Sequence, residues 1–431
     1  MLHTADAVVV GAGVIGSSVA LELTRGGRTV VVVDKAGDVG HGSTSASSAI
    51  IRFNYSTFEG VALAWEALHG WRSWPEHLGH RDPAGLATYH RTGLVLLTRD
   101  DAGHGRAGAL FDRVGVPWQA WGPAELHRRL PDVDTGSFGP PRPVDSEEFF
   151  APASGEVHGV HTPDAGYVDD PSLAAHNLAT AAREAGARLL LRHRVVSVRL
   201  LPGSVWRIGT AEGDTVEAPV VVNAAGPWSG RVDEMAGVGA DFAVTTRPLR
   251  QEVHRVPAPA RTAAGVVLAD LDLGTYVRPG GGDSLLVGGT EPECDPLEWV
   301  EDPDAVDPNP TVGRFAAQVT RAARRLPRLR VPHRPSGVAA AYDVSGDWTP
   351  IYDRTDRPGF YVAIGTSGNQ FKNAPVVGQV MERLVSAVED GHDHDATPVR
   401  FVAPHTGHTL SLGAFSRLRR VADDAPSSVM G

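Results

Sequence analysis

The stretch AVVVGAGVIGSSVALELTRGGRTVVVVD, residues 7 to 34, limits the fold of this chain more than any other. An apolar run leads straight into Gly11, Gly13 and Gly16, and the glycines open a segment with helical apolar spacing. A second apolar run follows and ends on Asp34. The order is strand, tight turn, amphipathic helix, strand, acid. Gly11 permits the turn, Gly13 lets a ligand come close to the backbone, and Gly16 lets the helix lie against the strand. Val19, Ala20 and Leu23 face the sheet at helical spacing, and Gly27 ends the helix.

Such a turn aims backbone N–H groups and the positive end of a helix at phosphate. Gly11, Gly13, Val14, Ile15 and Gly16 therefore form a candidate dinucleotide cradle, in which the Asp34 carboxylate can accept both ribose hydroxyls. Glycines used only for packing are the competing explanation. Asp34 in place of a basic cluster argues against a ribose 2′-phosphate. NAD and FAD share this cradle, but an NAD-type domain continues with regular βα alternation. Here GHGSTSASSAIIRFNY follows instead. Gly42, Ser43, Thr44, Ser48, Ala49 and Ile50 in that loop suit a long cofactor lying over the sheet edge, which points to FAD. No second GxGxxG occurs, so a separate NAD(P)H domain is not expected.

The 431 residues exceed one simple core, so two domains are expected. Lys plus Arg number 40 and Asp plus Glu 51, a net charge of −11 that disfavours nucleic-acid binding. Cys294 is the sole cysteine, which excludes an internal disulfide and a multi-cysteine metal site. The N-terminus lacks a basic region ahead of its apolar run, and no apolar run is long enough to span a membrane. A soluble cytoplasmic protein is expected.

Along the chain, residues 58 to 79 have helical spacing and 91 to 100 read as a strand. Residues 131 to 157 are rich in Pro, Gly and acids and read as a surface excursion, either a lid or an inert insertion. Residues 170 to 200 read as helix then strand, and 248 to 290 as antiparallel strands. The end of the chain returns to α/β. The expected architecture is a cofactor domain in three pieces (1–88, 158–240 and 331–431) interleaved with a β-rich substrate domain in two (89–157 and 241–330).

Four blocks together carry a resemblance: the cradle, IIRFNY, VVNAAGPWS at 221 to 229, and GVAAAYDVSGDWTPIYD followed by GFYVAIGTSGNQFK up to 372. They resemble the FAD-dependent amine and amino-acid oxidoreductases of the D-amino-acid-oxidase superfamily. The nearest group is monomeric sarcosine oxidase with the sarcosine and dimethylglycine dehydrogenases. The resemblance implies a glutathione-reductase-type FAD-binding Rossmann domain roofed by an antiparallel β-sheet substrate domain. It implies hydride transfer from a carbon–nitrogen bond to flavin, giving an imine that hydrolyses. Lys35, Val195, Ala225, Gly226 and Trp228 join the implied cofactor contacts.

In GTSGNQFK, residues Gly365, Thr366, Ser367, Gly368, Asn369, Gln370 and Phe371 precede a helix, where backbone N–H groups can stabilise charge on reduced flavin. A plain capping loop is the alternative. The resemblance implies that Lys372 and Arg52 hold a substrate carboxylate; Arg52 could instead pair with a protein acid or the flavin phosphates. Tyr55 and Tyr276 are candidate pocket walls or ordinary core tyrosines, and Arg250, Gln251 and Arg278 are weaker candidates. His392 and His394 read as a solvated loop rather than a metal site.

The chain departs from the family at several points. The flavin-linking cysteine falls at Ala340 and the linking histidine near Ala46, so FAD is expected to be noncovalent. The lysine that activates oxygen falls at Leu286 and a nearby histidine at Thr290. Either O2 or another electron acceptor therefore stays open. With Ala49, these changes put sarcosine itself in doubt. A D-amino acid, a cyclic imino acid, a glycine derivative or a tailoring substrate remain alternatives. So do a FAD-binding subunit that needs a partner and, further off, an NAD enzyme without flavin.

Overall fold

The computed structural model describes residues 1–99, 102–259 and 265–421. Asp100, Asp101, residues 260–264 of the expected strand region and the tail from 422 lie outside the described residues. A six-stranded sheet runs in the order Arg188–Leu190, Val30–Val33, Ala7–Val10, Val220–Asn223, Phe360–Ile364, Ile351–Arg354. All neighbours are parallel except the last pair. Its central strands are buried on both faces, which is why they read as unbroken valine runs rather than alternating ones.

On one face the helix Val14–Arg25 packs between Pro171–Glu184 and Ala374–Glu389. The approach to Ala374–Glu389 is close: a Cβ on Gly378 would fall 2.3 Å from the Ser18 carbonyl oxygen. The other face is covered by a four-stranded sheet, Leu2–Thr4, Thr215–Ala218, Val205–Thr210 and Val195–Leu201, through Trp206, Ile208 and Val216. No helix among the described residues is long and apolar enough to cross a membrane.

The second large sheet has eight strands: Gly337–Ser345, Thr246–Pro257, Ser284–Gly289, Thr275–Pro279, Val267–Asp270, Leu94–Thr98, His158–Thr162, Gln119–Trp121. Its pairs are antiparallel except Val267–Asp270 beside Leu94–Thr98. Val95, Leu97, Val277, Leu285 and Val287 point to the face covered by the helix Val312–Arg325. The alternate residues Leu94, Val267, Ala269 and Tyr276 point to the opposite face and toward the first unit.

The strands His158–Thr162 and Gly337–Ser345 belong to this roof, on the other side of the expected boundaries at 157/158 and 330/331. Both are recruited by pairing with strands distant in the chain, which local composition does not reveal. Residues 131 to 157 are docked rather than loose. Asp272 accepts from Ser137 Oγ at 2.9 Å and from the amides of Phe138 and Gly139 at 2.8 Å, and Phe149 is buried. His394 corrects the solvated-loop expectation. It is 1% exposed, accepts from the Val399 amide at 3.0 Å and lies 3.3 Å from Asp353. Among the described residues no cluster of three or more metal-ligating side chains occurs.

Candidate active site

The glycine turn forms one wall of a cavity of about 360 Å³ at the carboxyl ends of the parallel strands. Gly11 has φ +108°, and a Cβ there would stand 2.4 Å from the Ala224 carbonyl oxygen. A Cβ on Gly16 would stand 2.0 Å from the Gly11 oxygen, so Gly16 serves helix–turn packing and does not line the cavity. Thr44 Oγ1 accepts from the Val14 amide at 3.1 Å and so fastens the serine-rich loop to the helix start. The Asp34 carboxylate is already held by the amides of Ala12 at 2.6 Å and Ala36 at 2.7 Å. Each oxygen keeps a further lone pair, so it still fits two ribose hydroxyls.

Of the expected cofactor residues, Gly11, Gly13, Val14, Ile15, Asp34, Lys35, Gly42, Ser43, Thr44, Val195, Ala225, Gly226, Trp228, Thr366, Gly368, Gln370 and Phe371 line this cavity. Ser48, Ile50, Asn369 and Lys372 line a second one, while Ala49, Gly365 and Ser367 line neither. The GTSGNQFK turn divides by position. Gly365 and Ser367 donate their amides to Asp343 at 2.6 and 2.7 Å, and the Asn369 amide goes to the Thr366 oxygen at 3.0 Å. Those three groups are engaged within the protein. Residues 366, 368, 370 and 371 face the ligand space instead.

The second cavity, of about 40 Å³, lies beneath the roof sheet. Ser47, Tyr342, Gly368 and Phe371 line both cavities, which adjoin there. Sequence reasoning missed Tyr342 and Ser47. Tyr342 packs its ring on Gly368, where a Cβ would meet the ring at 2.1 Å, and it sits in an apolar strand whose facing was not readable.

Arg52 and Lys372 enter the small cavity from the loop after Ile50–Ile51 and from the turn before Ala374–Glu389. They are 5% and 3% exposed. Arg52 donates to the Asn54 oxygen, and its guanidinium lies 5.4 Å from the Tyr55 ring centroid. Lys372 Nζ donates to Tyr55 Oη at 3.0 Å and to the Asn369 oxygen. The Trp71 indole donates to the Lys372 carbonyl at 2.6 Å and fixes the backbone there. Burial drives Lys372 well below the usual lysine range, and the Arg52 charge adds to it. Burial also lowers Arg52, against the opposing influence of Tyr55 and Glu291.

Tyr276 lines the small cavity, and burial pushes its hydroxyl up to about 12. Tyr55 does not: it stands behind the wall, donating to the Asn369 oxygen at 2.7 Å, and burial likewise raises it to about 12. Arg250 turns away to Glu252 and the Asn309 oxygen, and Gln251 pairs with Ala340 in the sheet. Arg278 is buried against the Tyr167 ring at 4.5 Å and lines neither cavity. Leu286 lies in the sheet between Arg278 and Arg255.

Known proteins match this arrangement along most of the chain. Glycine oxidase of Geobacillus kaustophilus is 26% identical over 402 residues, covering 91% of this chain and 96% of that protein. FAD-dependent oxidoreductase domain-containing protein 1 of Xenopus laevis is 25% identical over 425 residues, covering 88% of this chain and 79% of that one. Among solved structures, L-proline dehydrogenase from P. horikoshii superposes with a TM-score of 0.76 at 20% identity, over 97% of this chain and 98% of that one. The family model described as FAD dependent oxidoreductase matches residues 6–384. The chain therefore belongs to the DAO family of FAD-dependent oxidoreductases.

Proposed function

We propose that the protein oxidises the carbon–nitrogen bond of a small carboxylated amine or amino acid. The observation that carries this is that the two cavities adjoin. A ligand held by Arg52 and Lys372 would meet the cofactor space where Ser47, Tyr342, Gly368 and Phe371 line both. FAD, when bound, supplies the hydride acceptor. The chain supplies position. A buried guanidinium binds a carboxylate bidentately and fixes its orientation, and the apolar roof of Leu94, Val267 and Ala269 excludes water. The names of the relatives support the substrate class, since glycine oxidase and L-proline dehydrogenase are among them. With alanines at 46 and 340, noncovalent FAD is part of this reading. So is a domain division that follows the sheets, with Leu94–Thr98, His158–Thr162 and Gly337–Ser345 in the roof.

Anaerobic mixing of the purified protein with N-methyl, cyclic, D- and unsubstituted amino acids tests the proposal through the flavin absorbance. Bleaching by one carboxylated amine is the expected result, and return of colour in air then identifies an oxidase. A FAD-loaded protein that no member bleaches, alone or with co-purifying proteins restored, overturns it.

A further inference from the structure

Two basic side chains share the small cavity, and the described residues place no carboxylate within ion-pair distance of Lys372. Its Nζ meets only neutral oxygens, those of Tyr55 and Asn369, and its aromatic neighbour is the Tyr55 ring at 5.1 Å. The titratable groups around it come from three elements. Arg52 and Tyr55 follow the strand Ile50–Ile51, and Tyr276 and Tyr342 belong to the roof sheet. Glu291, in the loop after Ser284–Gly289, has electrostatic reach to Arg52, Tyr276 and Tyr342. Lys372 itself answers to burial and to Arg52, and both act against its charge.

Two adjacent buried cations are costly, and a guanidinium does not give up its proton at ordinary pH. The relief therefore falls on the lysine. A substrate amino acid brings the converse problem: it arrives as a zwitterion, and its ammonium has no lone pair to assist loss of hydride from the neighbouring carbon.

We propose that Lys372 is an uncharged amine in the free enzyme and takes the proton of the substrate's ammonium as the carboxylate docks. This rests on the amine-oxidation reading of the site. An N–H bond of the ammonium breaks and leaves its electron pair on the substrate nitrogen, while an N–H bond forms at Lys372 Nζ. The zwitterion becomes an amine carrying one negative charge, and the lysine becomes a cation beside it. Total charge is unchanged and no oxidant is needed. The carboxylate supplies the anion that makes the charged lysine tolerable, so substrate binding itself sets the reactive protonation state.

Calorimetric titration of the FAD-loaded protein with propionate, a carboxylate without an amine, tests this at pH 8 in two buffers of different ionisation enthalpy. Close to one proton taken up per propionate bound is expected, and close to none in Lys372→Arg, whose guanidinium is already charged. In turnover, kcat/KM of Lys372→Arg should fall about tenfold for each pH unit below the substrate ammonium's own pKa, while the parent stays flat there. Propionate binding without proton uptake, or uptake that persists in Lys372→Arg, overturns the proposal and leaves the carboxylate site intact. The parent measurement decides this alone if the variant does not fold. No perturbation of the flavin spectrum by propionate at any pH removes the carboxylate site itself, and this proposal with it.

Discussion

Lys35 holds its ammonium 3.5 Å over the indole ring of Trp228, and both residues line the larger cavity. Asp304 lies at the crossing. It accepts from Lys35, from the Trp228 indole at 3.0 Å and from Arg194 at 2.9 Å, and it lies 3.5 Å from Arg231. Burial pushes its carboxyl up, but Lys35 and Arg194 outweigh that and hold it down at about 2. The short helix Pro303–Ala305 thus straps one wall of the cavity to the other.

Removing this strap should loosen the cofactor without touching the small cavity. Partly exposed ion pairs contribute about 0–1 kcal/mol each, so Asp304→Ala should speed FAD release about tenfold. Release is read by loss of flavin colour on gel filtration or by the rise of free-flavin fluorescence. High salt should speed release in the parent and have little further effect in the variant.

Arg52→Ala should leave FAD bound and cost about 2–4 kcal/mol of affinity for a carboxylate ligand, since it removes one partner of a buried, oriented charge pair. Arg52→Lys should recover only part of it, because a single ammonium does not reproduce the two-pronged contact. Propionate titration followed by the flavin spectrum checks both. Unchanged affinity in Arg52→Ala would remove Arg52 from the ligand site.

Asp343 couples stability to pH. Its carboxyl is buried and raised to about 7 by desolvation, against the opposing hydrogen bonds from the Gly365 amide and Thr246. The unfolded value is 3.8, so the folded protein binds this proton more readily. Stability from this group is therefore full at low pH, is lost as pH rises toward 7, and stays lost above it. Asp343→Asn removes the dependence, for a contribution on the order of 4 kcal/mol. The melting temperature of the variant minus that of the parent should rise by a few degrees between pH 5 and pH 8. Buried histidines such as His77 and His254 act in the opposite sense, so the difference between the two proteins is the informative quantity.

Gly11→Ala should abolish flavin binding. The new methyl would press on backbone at Ala224, in a left-handed conformation that side chains rarely adopt. Gly13→Ala meets only Thr44 Oγ1 at 3.3 Å, so it should fold and bind FAD with reduced affinity. Absorbance of the purified proteins near the flavin maximum checks the pair.

The cradle was legible because its chemistry is local: glycines, a helix start and a terminal acid, all within residues 7 to 34. Arg52 stood out because a guanidinium in an apolar, small-residue run calls for an anion, and Lys372 only through the family resemblance. Their meeting was not legible, since it depends on a turn 320 residues away; the two positions are 372 − 52 apart. Tyr342 was hidden because alternate residues of a strand face opposite ways, and the strand's partner, Thr246–Pro257, had to be known first. Asp304 sits in a proline- and acid-rich connector, where an acid ordinarily signals only solvation. Tyr55, a candidate wall or core tyrosine in the sequence, lines neither cavity and is tied to Lys372 and Asn369.

The six-stranded sheet has a consequence for how the chain comes into being. Val220–Asn223 is flanked by Ala7–Val10 on one side and Phe360–Ile364 on the other. During synthesis the cradle is complete long before its right-hand neighbour exists, and the helix Ala374–Glu389 that packs on Val14–Arg25 emerges later still. Loop-closure entropy over such separations makes folding slow, and the nascent chain carries exposed valine strands meanwhile. A ribosome stalled before residue 360 holds a chain that cannot bury its own nucleotide-binding sheet, so flavin capture marks the end of folding rather than its start.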